Sequence, residues 1–234
     1  MANVKNLFLA FVAVLMVSTT ATLANDIYIN QAGDSLDLDI TQDGQNNVIG
    51  TSTTDVTLSG DSMTFSITQT GNMNTIAANI KGSTYTGTWS FTGDSNTVDM
   101  LCSSTTTGDC DTVTLNITTT GDSNTFDFDI GETATADSST VSFTVTGDNS
   151  VINTDIDGQS TALTVTIDNS ASLATTSANS DEGVTLTTTQ SGDGDSAGHT
   201  ATVDVTGGGG TIDITQSGVY DNTVDLTISG DSFD

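Results

Sequence analysis

The side chains able to do chemistry are few. His199 is the only histidine and Cys102 and Cys110 are the only cysteines in 234 residues, beside 30 acidic and two basic side chains. Acyl transfer needs a nucleophile paired with a base and an orienting third group. No Ser or Cys pairs with His199 by spacing, and its Gly-rich surroundings predict a solvated imidazole. Two thiols without a nearby His do not make a zinc site. In an exported chain, a pair flanking Ser103 to Asp109 is expected to bridge. Carboxylate pairs serve glycoside hydrolysis, but the sole Trp, Trp89, falls at an inward position of its strand and lines no sugar cleft. An enzyme is not expected.

Oxygen ligands for calcium come next. Gly93-Asp94-Ser95-Asn96, Gly121-Asp122-Ser123-Asn124 and Asp193-Gly194-Asp195 present carboxylates in Gly turns. Calcium takes about six to eight converging oxygens, and neither a full EF-hand loop nor a Gly-Gly-x-Gly-x-Asp repeat is present. Asp in such places is also a plain turn former. Asp94, Asp122, Asp193 and Asp195 are weak calcium candidates, and no other cofactor is expected.

Amides are the third chemistry. Gln42 and Asn47 flank a turn in Ile40-Thr41-Gln42-Asp43-Gly44-Gln45-Asn46-Asn47, and Gln69 and Asn74 do so in Ile67-Thr68-Gln69-Thr70-Gly71-Asn72-Met73-Asn74. Asn96, Asn124, Gln216 and Asn222 stand at related places. A primary amide carries donors and an acceptor. Identical buried amides stacked ~4.8 Å apart therefore hydrogen-bond to one another along the stacking axis. These eight residues form the expected ladder.

The elements that must position them are short strands. Segments such as Met63-Thr64-Phe65-Ser66-Ile67 and Val141-Ser142-Phe143-Thr144-Val145 alternate with period two, so one face is dry and one wet. Second strands such as Asn124-Thr125-Phe126-Asp127-Phe128 follow each turn. The turn glycines Gly44, Gly71, Gly93, Gly121, Gly147, Gly192 and Gly218 recur, most at steps of about 22 to 28 residues, which is the mark of a repeat architecture. The expected fold is all-β: a β-solenoid of about eight strand–turn–strand coils stacked in two parallel sheets. The strands beginning at Leu36, Met63, Thr88, Val113, Val141, Leu163, Val184 and Thr211 are expected to stack on one another.

Residues 1–24 read as a secretory signal: Lys5, an apolar run from Leu7 to Val17, and small residues before a cut. The solenoid then occupies 25–234, without a membrane span. The formal charge is −28, which repels phosphate backbones and excludes nucleic-acid partners. High salt or divalent cations are natural companions.

The pattern apolar-x-Gln-x-Gly-x-x-Asn-x-apolar resembles the curlin repeat of curli fimbria subunits. Ile40/Gln42/Gly44/Asn47/Ile49 and Ile67/Gln69/Gly71/Asn74/Ile76 match it in full. Ile29/Gln31/Gly33 matches its first half, and Ile214/Gln216/Gly218/Asn222/Val224 matches with one residue inserted. The central coils depart from it, with Phe91, Thr119 and Val145 at the Gln position. The resemblance implies a secreted subunit that polymerises end to end into an extracellular amyloid fibre for adhesion, biofilm or surface matrix, with secretion machinery and a nucleator as partners. A different outcome is a monomeric ice- or ligand-binding solenoid. Outward positions such as Thr64/Ser66/Thr68, Thr114/Asn116/Thr118, Ser142/Thr144/Thr146 and Thr185/Thr187/Thr189 resemble the Thr ranks of β-solenoid antifreeze proteins, with interruptions at Asp39, Asn116 and Asp213.

Overall fold

Alternation of apolar with hydroxyl or carboxylate residues splits each segment into two faces, and the apolar face must be covered. The computed structural model describes residues 25–229, apart from 34, 45, 51–55, 103–108, 122, 132–135, 148–149, 169–183, 192–198, 207–209 and 219–221. The expected signal segment 1–24, Asp122, Gly192, Asp193 and Asp195 therefore lie outside the described residues.

The chain order is β1 (Asn25–Ile27), β2 (Asn30–Ala32), β3 (Leu36–Asp43), β4 (Asn47–Ile49), β5 (Val56–Ser59), β6 (Ser62–Thr70), β7 (Met73–Thr92) and β8 (Ser95–Cys102). It continues with β9 (Asp109–Thr120), β10 (Thr125–Ile130), β11 (Ala136–Thr146), β12 (Val151–Asp168), β13 (Val184–Ser191), β14 (Thr200–Thr206), β15 (Gly210–Gln216) and β16 (Thr223–Ser229). Among the described residues there is no helix.

Strand pairing is parallel and follows two lines. Line A runs β1–β4–β7–β8–β10–β12–β13–β15, with β2 and β5 joined to it. Line B runs β3–β6–β7–β9–β11–β12–β14–β16. Parallel neighbours need a crossover between them. Here each strand of one line is the crossover for the other, and the result is a parallel β-solenoid. β7 and β12 run through both lines without a break, so the sixteen strands share one hydrogen-bonded network.

The core lies between the lines and is built in columns. One line-B column reads Ile40, Ile67, Trp89, Ile117, Phe143, Val165, Val203, Leu226. Like residues stack on like because each coil copies the register below it. Trp89 packs edge-on to Phe65 with ring centres 6.1 Å apart, and Phe128 and Phe143 meet at 5.2 Å. The Trp89 indole N–H donates to the Phe65 carbonyl at 3.0 Å, so its one polar atom is satisfied in the interior.

The corner after each early line-B strand holds a column of glycine. A Cβ on Gly93 would run into the carbonyl oxygen of Gly71, and one on Gly121 into that of Gly93. The backbones approach too closely for any side chain, and Gly121 also sits at a φ of 143°. At the opposite corner Cys102, ending β8, is bonded to Cys110, opening β9.

The last coils depart from the expected stacking. The strands at Val184 and Thr211 were expected to extend the column that begins at Leu36. Instead β13 and β15 lie in line A and β14 and β16 in line B. From the end of β11 in line B to the end of β13 in line A is one and a half coils rather than a whole number, so Gln190 and Gln216 end line-A strands where Gln42 and Gln69 end line-B strands.

Candidate functional site

The Asn column is the most ordered polar feature. Asn47 Nδ2 donates to Asn74 Oδ1 at 3.2 Å, Asn74 to Asn96 at 2.7 Å, Asn96 to Asn124 at 2.7 Å, and Asn124 to Ser150 Oγ at 3.4 Å. The second hydrogen of each amide goes to a turn carbonyl: Thr70 at 2.8 Å, Thr92 at 3.1 Å, Gly93 at 2.9 Å and Gly121 at 2.6 Å. All four Asn are buried. Each amide thus ties its own corner to the next coil, which satisfies groups that would be costly to bury alone.

Gln42 and Gln69 form a shorter column. Gln69 Nε2 donates to Gln42 Oε1 at 2.7 Å. The next residue in that column is Phe91, which offers no donor, and Gln69 Oε1 is buried without a partner. Gln216 and Asn222 belong to neither column. Gln216 lies in line A and donates to Gln190 Oε1 at 2.8 Å. Asn222 precedes β16 in line B, where its Oδ1 accepts the backbone N–H of His199 at 3.0 Å. The change of corner explains both.

That second corner has its own polar network, centred on His199. The solvated imidazole expected from its Gly-rich neighbours is instead fully buried. Gln190 Nε2 donates to Thr161 Oγ1 at 2.8 Å, so the Thr161 hydroxyl is free to donate to His199 Nδ1 at 2.7 Å. This assigns the ring proton to Nε2, which meets the Ser217 carbonyl at 3.2 Å. Gln190 was missed by the sequence reading, although Gln190-Ser191-Gly192 repeats the Gln-x-Gly signature with Thr188 in place of the apolar residue. Thr161, Gln190 and His199 are all buried, so the network ties neighbouring coils together within the interior.

The two outer surfaces differ in chemistry. Line A turns Asp99, Asp127, Asp129, Asp155 and Asp213 outward, with Asn153 donating to Asp127 at 2.9 Å. Line B turns out hydroxyls. Its columns include Thr64, Thr86, Thr114, Thr140 and also Thr68, Ser90, Thr118, Thr144, Thr166. Across β6, β7, β9 and β11, each outward position from the column of Ser62 to that of Thr70 holds Ser or Thr, except Asn116. Of the interruptions expected in this face, Asp39 on the end strand β3 and Asn116 on β9 lie in it, in one outward column with Ser66 and Thr88, whereas Asp213 belongs to line A. Thr185, Thr187 and Thr189 also belong to line A.

Among the described residues, both ends of the solenoid are open. Val224, Leu226 and Ile228 of β16 are 48%, 44% and 39% exposed, although they continue columns that are buried in the middle of the molecule. At the other end Leu36, Leu38 and Ile40 are only partly buried. Asp94 is an exposed turn residue. Among the described residues, no group of three or more His, Cys, Asp or Glu is placed to hold a metal ion, and no helix is long and apolar enough to cross a membrane. Comparisons with protein-family models, curated proteins and solved structures find no match.

Proposed function

We propose that the chain is a secreted structural subunit that stacks end to end into an extracellular, curli-like amyloid fibre, serving adhesion, biofilm or surface matrix. The observation that carries this is the open end: β16 exposes Val224, Leu226 and Ile228 beside an unpaired strand edge. Such an edge is a template for another strand, and no capping element covers it among the described residues. The parallel register supports a reading of eight coils in two sheets, one per pairing line.

Continuing those columns gives the contact between copies. β16 would meet β3 of the next copy, placing Leu226 in the column of Ile40 and Val224 in that of Leu38. β15 would meet β1 and β2, so Ile212 joins the column of Ile27 and Gln216 that of Gln31. The Gln31 amide N–H would donate to Gln216 Oε1 of the neighbour, in the same sense as Gln216 to Gln190. The signal-like leader and the curlin resemblance supply the export route and the surface location, with a nucleator and secretion machinery as further partners.

Electron microscopy of the purified chain, with and without added salt or calcium, tests this. Unbranched filaments with a meridional repeat of ~4.8 Å are expected, forming faster when the charge of −28 is screened. Leu226→Lys is expected to keep the β-rich circular dichroism and abolish filaments. Persistent wild-type monomers, or filaments unaffected by that change, would overturn the assignment.

A further inference from the structure

We propose that the outer face of line B is an ice-binding surface. This does not rest on the fibre assignment, because the face is complete within one chain and points sideways, away from the ends where copies would meet.

Charge distribution is the first argument. In a chain with 30 carboxylates, the outward positions of β6, β7, β9 and β11 from the column of Ser62 to that of Thr70 carry none, while line A turns at least five Asp outward; Asp109 and Asp111 on β9 and Asp137 on β11 precede that field. Carboxylates return to line B only beyond this field, as with Asp39 on β3, Asp168 at the end of β12 and Asp225 on β16. Solubility alone would be served by Asp on either surface. A neutral field framed by charge suits a neutral partner that charged groups, with their tightly held hydration shells, would disrupt.

Regularity is the second. Within these four strands the pairing keeps register across the hydroxyl columns, and its one irregularity, between Gly82 and Thr84, lies at the margin of the field. Neighbouring rungs are ~4.8 Å apart, and outward residues repeat every ~6.7 Å along a strand. Ice is a lattice of tetrahedral donors and acceptors. An O–H···O distance of about 2.75 Å places oxygens that share a neighbour about 4.5 Å apart, and places the repeat across puckered layers near 7.3 Å. Both protein spacings agree with these within about a tenth. Each Thr contributes a hydroxyl that can take a lattice position and a methyl that orders adjoining water.

The absence of outward aromatics points away from a polysaccharide. Trp89 and Tyr85 are wholly buried beneath this surface, and the outward field has no ring on which a sugar would stack.

Thermal hysteresis and partition into a growing ice hemisphere test the proposal, on chain cleared of filaments by ultracentrifugation. The wild type is expected to show faceted ice growth, measurable hysteresis and enrichment in the ice. Thr118→Tyr, at the centre of the field, is expected to remove all three. Thr97→Tyr, an exposed residue on line A, is expected to leave them unchanged. Circular dichroism checks that each variant folds, and Thr144→Tyr replaces Thr118→Tyr if that one does not. A wild type excluded from ice with no hysteresis overturns the proposal. So do central and line-A variants that behave alike. Filament formation is scored separately, so either assignment can fail without the other.

Discussion

Tyr85 buries its hydroxyl beside Gly87, and no hydrogen bond of good geometry reaches that oxygen: the Trp89 indole N–H, its polar neighbour, is already given to the Phe65 carbonyl. Leaving a buried polar atom unpaired costs about 1–3 kcal/mol. Burial also pushes the Tyr85 hydroxyl well above the usual phenol range. The neutral form is therefore favoured in the fold, so the stability it protects is full below the unfolded phenol value of about 10 and is lost as pH rises past it. Tyr85→Phe is expected to raise the melting temperature at neutral pH and to blunt the alkaline loss of stability. Thermal melts between neutral pH and strong alkali check both; a destabilised Phe variant would mean that the hydroxyl has a partner after all. The sequence placed Tyr85 on no list, because nothing in a Thr-rich strand marks which aromatic lacks a partner. By contrast, the Asn at 47, 74, 96 and 124 stood out by spacing alone, since a ladder needs the same residue at the same step.

At the scale of the element, the Asn column couples coils that would otherwise meet only through backbone bonds and apolar contacts. Its middle and its end should differ. Asn96→Ala leaves the Asn74 amide N–H and the Asn124 carbonyl oxygen buried and unmatched, whereas Ser150→Ala loses one long bond at 3.4 Å. Denaturant titration should show a loss of about 2 kcal/mol or more for the first and under about 1 kcal/mol for the second. Equal losses would mean that the amides act singly. Period-two patterning revealed the strands themselves. It did not reveal which line each strand joins, because both lines share an inward apolar face and the same period. Only the half-coil between the ends of β11 and β13 decides it. For the same reason, residues given to one Thr rank were divided between two surfaces with different neighbours. His199 was misjudged because a Gly-rich stretch reads as loop, while the column above Thr161 and below Asn222 exists only once the coils are stacked.

Across the whole molecule, charge and core act against each other. The interior is nearly continuous from Ile49 to Val205, yet the surface carries a formal charge of −28. Self-repulsion of this size disfavours the compact state and is relieved by counter-ions. The melting temperature of the single chain is expected to rise steadily with sodium chloride before any filament forms. Differential scanning calorimetry at low protein concentration would show it, and a flat response would mean that the Asp on line A are already balanced within the fold.

Near-identical coils carry a hazard of their own: a chain of equal steps can slide by one step during folding and still match apolar to apolar. The transfer of the amides from one corner to the other removes that freedom. A chain displaced by a coil would leave Gln190 facing a partner other than Thr161 and would break the Asn run against Ser150. The half-coil that misaligns the motif thus serves as an index mark, giving a repetitive sequence a single correct alignment and a fixed number of steps.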